Sequence, residues 1–349
     1  MPVCADFLRA ADVSCGAVLM ATPLEAALQL LREASVLLRQ DPARGEREFT
    51  LARAALQGHT GDEVGLLRVR LSLCAGLAAL RQSRIAASLV AAREALLSAS
   101  GLPWPDPVPP GGTPFDPVQA RDLLEQVLAT LAARGLLAFA TGGTLLGLVR
   151  EGKLLPFDKD LDVVTPIASF GQVCQILAEA GWQESWVPIQ AVNYRCLVHR
   201  EFQITLDIIG YDYDPDRRRV VGGWWLAGLP REAGRLLYFS DYTLARVPGR
   251  HGPYWAIQQP ETLLAELYGP DWRIPDPDFD AILGTPALAI HNDFTRAWGT
   301  LRLVEAWLQG RRPRFQRQWK TLRKLDPADA GLAACASMAT PDDSGASPC

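Results

Sequence analysis

The first part of the chain alternates apolar and polar residues with the period of an amphipathic helix. The stretch TPLEAALQLLREASVLLRQ begins with Thr22 as a cap, Pro23 in the first helical turn and Glu25 completing a capping box. Three further periodic segments, all rich in Ala and Leu, lie at about 44–57, 62–82 and 85–99. The pattern predicts four helices, arranged as two antiparallel hairpins.

A short repeat lies within these helices. ARAAL at 52–56 recurs as AREAL at 92–96. This spacing is either that of a tetratricopeptide-like repeat or a coincidence in an Ala/Leu-rich region. Under both interpretations the segment is a helical scaffold or a module that docks a protein partner, since it holds no cluster of chemically active side chains.

A proline-rich stretch, GLPWPDPVPPGGTPFDP, interrupts the helical pattern and predicts a domain boundary. The predicted division is a flexible N-terminus at 1–21, a helical module at 22–101, a linker at 102–116, a second domain at 117–326 and a disordered tail at 327–349.

The second domain mixes helical and strand patterns. Asp116 and Pro117 are typical of a helix start, and Gly135 follows the predicted helix end at Arg134. The segments that follow are a buried strand LLAFAT, a short helix TLLGLVR, a strand DLDVV, a helix SFGQVCQILAEAG, a strand FQITLDIIGY, a helix PETLLAELYG and a helical stretch at about 293–324. This order predicts an α/β (α+β) domain with a mixed sheet, preceded by an all-α domain.

Composition narrows the class of protein. The apolar fraction is 48% and the formal net charge is -4, so the chain lacks the basic excess of a nucleic-acid-binding protein. No apolar run approaches eighteen residues and the N-terminus lacks a cationic signal-peptide start, which together predict a cytoplasmic protein. The seven cysteines have no metal-ligand spacing and are interpreted as reduced thiols.

Three alternating aspartates, Asp158, Asp160 and Asp162, stand in a segment with a strand pattern. Residues two apart in a strand share a face, so these carboxylates repel one another unless a positive charge compensates. Asp207, in a second apolar strand, is a candidate third carboxylate. Such a trio typically holds Mg²⁺ or Mn²⁺ through oxygen ligands, with substrate phosphates completing the metal shell.

A candidate phosphate cradle precedes the aspartates. Gly142 and Gly143 permit close backbone approach, and the helix that begins near Thr144 directs N–H groups and a positive dipole end toward an anion. Arg150 adds a guanidinium suited to phosphate. A phosphate cradle beside a carboxylate-held metal predicts phosphoryl or nucleotidyl transfer.

The segment GTLLGLVREGKLLPFDKDLD resembles the signature of the LicD/fukutin family, within the polymerase-β-like nucleotidyltransferase superfamily. A second stretch, PETLLAELYGPDWRIPD, is similar to the closing element of that family. The resemblance covers roughly residues 117–280 and does not include the N-terminal helices.

The resemblance implies roles for individual residues. Asp160 and Asp162 match the metal-binding pair, and Asp207 matches a third carboxylate that serves as metal ligand and catalytic base. The residues implied on the donor-phosphate side are Gly142, Gly143, Thr144, Arg150, Asp158 and Lys159. Lys159 stands where many members have an acid, and Phe157 replaces the commoner Trp. Tyr268, Gly269 and Trp272 of the closing element are interpreted as structural.

The resemblance also implies an activity, which is transfer of phosphocholine or a polyol phosphate from a CDP-linked donor to a hydroxyl of a glycan or glycolipid, as in modification of cell-surface polysaccharide. Two alternatives remain: a nucleotidyltransferase that modifies a protein, RNA or small molecule, and an interaction protein with an inactive transferase fold.

Two other features have competing interpretations. Aromatic pairs at 224–225 and 254–255 either stack on a base or sugar, or belong to the core, which is the commoner case. The basic stretch at 307–324 is either a solvated face or a site of peripheral membrane or acceptor contact.

Overall fold

The computed structural model describes residues 22–108 and 116–340. Among these residues the chain forms two compact units. One contains residues 116–277 and 284–292, and the other contains residues 22–108, 278–283 and 293–340. The N-terminal stretch 1–21, residues 109–115 of the linker and residues 341–349 of the tail, for which predictions were made above, lie outside the described residues.

Four helices form the beginning of the second of these units, as the apolar periodicity predicts. They are α1 (Pro23–Gln40), α2 (Pro42–Ala55), α3 (Asp62–Arg81) and α4 (Ile85–Ala99). The capping box at the start of α1 is present, because the Thr22 hydroxyl accepts a hydrogen bond from the Glu25 N–H and the Glu25 carboxylate accepts one from the Thr22 N–H. Each helix packs on the next along the chain. Their similarity to a tetratricopeptide repeat stays a prediction.

The α/β unit contains four helices and nine strands. The helices are α5 (Pro117–Ala133), α6 (Gly142–Arg150), α7 (Ile167–Glu179) and α8 (Pro260–Tyr268). The strands are β1 (Phe139–Ala140), β2 (Asp160–Pro166), β3 (Trp182–Glu184), β4 (Tyr194–His199), β5 (Thr205–Asp214), β6 (Arg219–Trp224), β7 (Arg235–Phe239), β8 (Leu244–Val247) and β9 (Tyr254–Ile257).

Seven of these strands form one mixed sheet, in agreement with the predicted fold class. The order is β1-β2-β5-β4-β3, and β6 pairs with β5 and β7. Strands β2 and β5 are parallel, whereas β1 pairs with β2, and β4 with β5, in antiparallel fashion. Strands β8 and β9 form a separate antiparallel pair.

The sheet has an apolar cluster on each face, because side chains alternate along a strand. Leu161 and Val163 of β2 belong to the cluster that also contains residues of α5 and α7. Val164 belongs to the opposite cluster, with residues of α6 and α8. Asp160 and Asp162 share the face of Val164, so the aspartates of β2 lie on the side of the sheet that α6 and α8 cover.

The predicted single helical stretch at 293–324 is wrong in one respect, because it is broken. It forms α9 (Asp293–Leu308) and α10 (Arg312–Leu325), which are separated by Gly310 with a φ of +66°. A glycine with positive φ after a helix end, followed by a proline in the first turn of the next helix, is the usual chemistry of such a break.

The extent of the second domain also differs from the predicted 117–326. Helix α9 packs on α4 and α10 packs on α9, so both belong to the unit of the N-terminal helices. The tail predicted as disordered from 327 onward contains two short helices, α11 (Ala330–Ala334) and α12 (Ala336–Ala339). Buried Leu332 and Cys335 and an ion pair between Asp329 and Arg93 tie this segment to its unit. Periodicity alone did not reveal these non-local contacts.

Candidate active site

The N-terminus of α6 lies directly against the aspartates of β2. Gly142 has a φ of +53°, and a Cβ at this position would lie 2.3 Å from Asp162 Oδ2. The Gly143 N–H donates a hydrogen bond of 2.9 Å to the same oxygen. Only glycine satisfies both the backbone conformation and the close approach at 142. The glycine pair therefore makes room for a carboxylate, which then caps the helix.

Two further residues of GTLLG fix the position of α6. The Thr144 hydroxyl accepts a hydrogen bond of 2.8 Å from the Asp162 N–H, and Thr144 is fully buried. A Cβ on Gly147 would lie 2.8 Å from the Lys153 carbonyl oxygen and 2.9 Å from the Leu155 nitrogen. Thr144 thus holds α6 to β2, and Gly147 lets the loop after α6 pass close to the helix. The predicted contact of Thr144 with a donor phosphate stays a prediction.

The acids that the sequence places in two different strands are neighbours in the sheet. Asp162 of β2 is directly opposite Asp207 of β5 in the parallel register, and Asp160 is two residues earlier on the same face. Asp207 is only 5% exposed. The sheet therefore brings these three predicted residues together.

Strand β4 supplies a residue that the sequence analysis missed. The Tyr194 hydroxyl donates a hydrogen bond of 2.9 Å to Asp207 Oδ2, and both residues are buried. Cys196, two residues further along β4, is directly opposite Asp207 in the antiparallel register. The sequence analysis made no prediction for this segment, and the pairing of β4 with the Asp207 strand is a tertiary property.

Burial and mutual repulsion oppose ionisation of the acids. Burial raises the pKa of Asp162, and the charges of Asp160 and Asp207 raise it further. Burial likewise raises the pKa of Asp207, with an added contribution from Asp160, whereas the hydrogen bond from Tyr194 opposes that rise. Such an arrangement favours binding of a positive charge, because a cation would remove the repulsion.

Asp158 precedes β2 and is not part of the strand, contrary to the prediction of three acids on one strand face. Its carboxylate still reaches the α6 N-terminus, since a Cβ on Gly143 would lie 3.2 Å from both of its oxygens. Burial, followed by the charge of Asp160, raises the pKa of Asp158 to about 7. Lys159 is half-buried, and Phe157 is 67% exposed instead of packed.

Arg150 connects the two separated sequence motifs. Its guanidinium donates hydrogen bonds to Glu151 and to the Trp272 carbonyl oxygen, and its charge lowers the pKa of Asp158. Trp272 is buried, as predicted for the closing element. Burial raises the pKa of Tyr268, and the charges of Asp162 and Asp158 raise it further. Tyr268, interpreted above as structural, is thus close to the acids.

Of the predicted aromatic pairs, Trp224 lies next to Tyr194, with the two ring centroids 6.1 Å apart. Trp224 and Trp225 are buried, whereas Tyr254 and Trp255 are half-buried in β9. Asp214 accepts hydrogen bonds from the backbone of Asp216 and Arg217, as expected for a turn. Within residues 22–108 and 116–340, no set of three or more His, Cys, Asp or Glu side chains is arranged to hold a metal ion. No helix in the described part of the chain is long and apolar enough to cross a membrane.

Comparison with solved structures finds similar chains, among them the following two. One is the lincosamide antibiotic adenylyltransferase LnuA with lincomycin bound, at 17% identity and a TM-score of 0.30, covering 44% of this chain and 86% of that chain. The other is the antibiotic-resistance factor ANT(2'')-Ia, at 12% identity and a TM-score of 0.31, covering 61% of this chain and 99% of that chain. A search of curated proteins finds no match to this sequence.

Residues 135–201 match the family model described as LicD/FKTN/FKRP, nucleotidyltransferase domain. The matched segment contains α6, the aspartates of β2 and Tyr194. A domain of this family implies phosphotransferase-type activity on glycans. The match confirms the resemblance found in the sequence: residues 135–201 are similar to the nucleotidyltransferase domain of the LicD/fukutin family, which supports a transferase.

Proposed function

We propose that the protein transfers a phosphorylated alcohol, such as phosphocholine or a polyol phosphate, from a CDP-linked donor to a hydroxyl of a glycan or glycolipid. The observation that carries the proposal is the position of Asp162. Its carboxylate is opposite Asp207 across β2 and β5 and is also hydrogen-bonded to the N-terminus of α6. The acids therefore meet a helix N-terminus at one place, and of these residues Asp160, Asp162 and the start of α6 lie within the segment that matches the family.

The donor phosphates would lie at the start of α6. The first N–H groups of a helix and its dipole attract anions. The carboxylates of Asp162 and Asp158 lie against Gly142 and Gly143, so a donor phosphate would have to displace them from the helix start or share it with them, and Arg150 adds a positive charge close to Asp158. The helix start and Arg150 would orient the donor and offset the charge of its phosphates.

The oxygens of these acids are of the type that a divalent cation prefers, although the three side chains, as they stand among the described residues, are not arranged to hold one together. Mg²⁺ is usually bound through one or two carboxylates, with water and substrate phosphates as its other ligands. Asp160 and Asp162 would supply this pair, and Asp207 the further carboxylate. Bound Mg²⁺ or Mn²⁺ would neutralise charge on the transferring phosphoryl group. The raised pKa values of Asp162 and Asp207 support the proposal, because a nearby positive charge is needed to keep both carboxylates ionised together.

Asp207 would accept the proton of the attacking acceptor hydroxyl. A general base must be held in position, and the hydrogen bond from Tyr194 fixes one oxygen of this carboxylate.

Product analysis with the full chain tests the proposal. The protein is incubated with Mg²⁺ and CDP-choline, CDP-ribitol or CDP-glycerol, and separately with nucleoside triphosphates, in the presence of glycan acceptors. We expect release of CMP from one of the CDP-linked donors. Release of pyrophosphate without CMP would instead indicate nucleotidyl transfer, which is the alternative activity of this fold.

Two matched variants assign the reaction to the site. We expect Asp160→Asn to abolish CMP release. Asp216→Asn makes the same chemical change in the exposed turn after β5 and should retain full activity. Equal activity of both variants would refute the assignment of the acids, and absence of both products with every donor would refute the proposed reaction.

A further inference from the structure

A cavity of about 180 Å³ in the α/β unit is lined by none of the acids Asp158, Asp160, Asp162 and Asp207. Its walls are the loop after β7, residues 240–243, and the N-terminal part of α8 with Gln259 before it. Among the described residues that line the cavity, Leu263 is the only one with an aliphatic apolar side chain, and the others are polar or aromatic. None of the lining residues is among the predicted site residues.

The floor of the cavity is a preformed polar network. Glu266 accepts hydrogen bonds from the Ser240 N–H at 3.0 Å and from the Ser240 hydroxyl at 2.6 Å. Arg219 donates to the Ser240 hydroxyl at 2.9 Å and forms an ion pair with Glu266 at 3.5 Å. The charge of Glu266 is thus compensated within the protein, and its position is fixed without a ligand.

The rim carries polar groups that retain unused hydrogen-bonding capacity. The Thr262 hydroxyl and the Gln259 amide form no hydrogen bond with any part of the chain that the structure describes, and both residues are exposed. Asp241 uses one carboxylate oxygen to accept a hydrogen bond from the Tyr242 N–H, which leaves the second oxygen available. Tyr242 adds an aromatic wall, held by edge contact with Phe139 at 5.2 Å between ring centroids.

These groups match the hydrogen-bonding pattern of a neutral polyhydroxyl ligand. A hydroxyl of a sugar or polyol both donates and accepts, so it pairs with a carboxylate oxygen, an amide and a hydroxyl side by side. An aromatic wall suits the C–H face of a sugar. We propose that this cavity binds a neutral sugar or polyol through Asp241, Gln259 and Thr262.

Charge distinguishes this ligand from the alternatives. No Lys, Arg or His is among the described residues that line the cavity, and Asp241 contributes a carboxylate to the rim, so a phosphate or nucleotide would be repelled. A quaternary ammonium ligand is normally held by several aromatic faces, whereas Tyr242 is the single aromatic residue among the described residues that line the cavity. The site is independent of the acids and goes beyond the reaction proposed above.

Saturation-transfer NMR with the full chain, without metal or donor, tests the inference. The probes are glucose, galactose, N-acetylglucosamine, ribitol and glycerol, with choline and inorganic phosphate as charged comparisons. Signal build-up against ligand concentration gives the dissociation constant of each. We expect binding of at least one neutral probe and none of phosphate. Because donor and metal are omitted, failure of the proposed reaction would leave this result unchanged.

Variants assign the binding to the cavity. Thr262→Val and Gln259→Met remove one hydrogen-bonding group each at exposed positions, and each should weaken binding about 2- to 10-fold. Gln172→Met makes the same change on the exposed surface of α7 and should leave binding unchanged. Melting curves establish that each variant is folded. The inference is overturned if no neutral probe binds, if only choline binds, or if the double variant Gln259→Met/Thr262→Val binds as well as the wild type.

Discussion

Replacement of Asp158 by Asn should make the metal-free protein more stable at high pH. The carboxyl group is largely buried beside Asp160, and these two causes raise its pKa to about 7. In the unfolded chain the pKa of the same group is near the ordinary value of an aspartate, 3.8. Between these two values the folded protein binds more protons than the unfolded chain, so stability falls as the pH rises from about 4 to about 7. Because an amide cannot ionise, Asp158→Asn does not lose stability in this way as the pH rises.

The size of the effect follows from the two pKa values. At pH 5 the unfolded group is ionised while the folded group is still protonated, and at pH 8 both are ionised. Between these pH values the wild type loses about 3 kcal/mol that the variant keeps, since one pKa unit corresponds to about 1.4 kcal/mol. Partial exposure of Asp158 screens the charge and reduces the difference to about 2 kcal/mol. Any constant effect of the buried amide cancels in this comparison of two pH values.

Thermal unfolding in EDTA at pH 5 and pH 8 measures the difference. For a unit of this size, about 2 kcal/mol corresponds to a shift in Tm of about 4–8 °C. The Tm of Asp158→Asn relative to wild type should therefore rise by that amount between the two pH values. Parallel pH dependence of wild type and variant would refute the reasoning, because it would mean that Asp158 ionises in the folded protein as it does in the unfolded chain.

Three further substitutions or reactions test other parts of the structure. Gly147→Ala should destabilise the fold by about 1–3 kcal/mol, because the new Cβ would lie 2.8 Å from the backbone of the loop after α6. Gly171→Ala, on the open surface of α7, should instead stabilise the fold by up to about 1 kcal/mol. Urea unfolding measures both changes. Tyr194→Phe should lower the free energy of unfolding by about 1–2 kcal/mol through loss of its buried hydrogen bond, and Tyr213→Phe, at an exposed position, should not. Burial raises the pKa of the Cys74 thiol to about 12, so peptide mapping should find it unalkylated by iodoacetamide at pH 8 in the folded protein and alkylated in urea.

Local sequence chemistry predicted much of the fold. The capping box at Thr22 and Glu25 located the start of α1, and Asp116 with Pro117 located the start of α5, because caps are decided by residues within one turn. The break at Gly310 also has a local signal, which is a glycine three residues before a proline. The helical periodicity on both sides of Gly310 instead favours one continuous helix, so the two local signals conflict.

Contacts between segments that are distant in sequence could not be predicted in this way. Nothing in the sequence around Arg93 indicates that it pairs with Asp329, so the tail was predicted as disordered and α9 was placed in the wrong unit. The role of Tyr194 was hidden for the same reason, since a strand of six residues does not specify its partner strand. The aspartates were recognised because metal-binding chemistry places such residues in characteristic patterns, whereas a tyrosine that holds a carboxylate has no pattern of its own.

The glycine pair and the aspartates form one structural unit, although a loop and most of a helix separate them in sequence. A side chain at 142 would overlap the Asp162 carboxylate, and one at 143 would crowd Asp158. The glycines are therefore required by the acids even before any ligand binds. Since the Gly143 N–H already donates to Asp162, a donor phosphate that approaches the start of α6 competes with this carboxylate for the same N–H. A cation that bound Asp162 would weaken this competition, which is a physical reason for the acids and the helix N-terminus to occupy the same place.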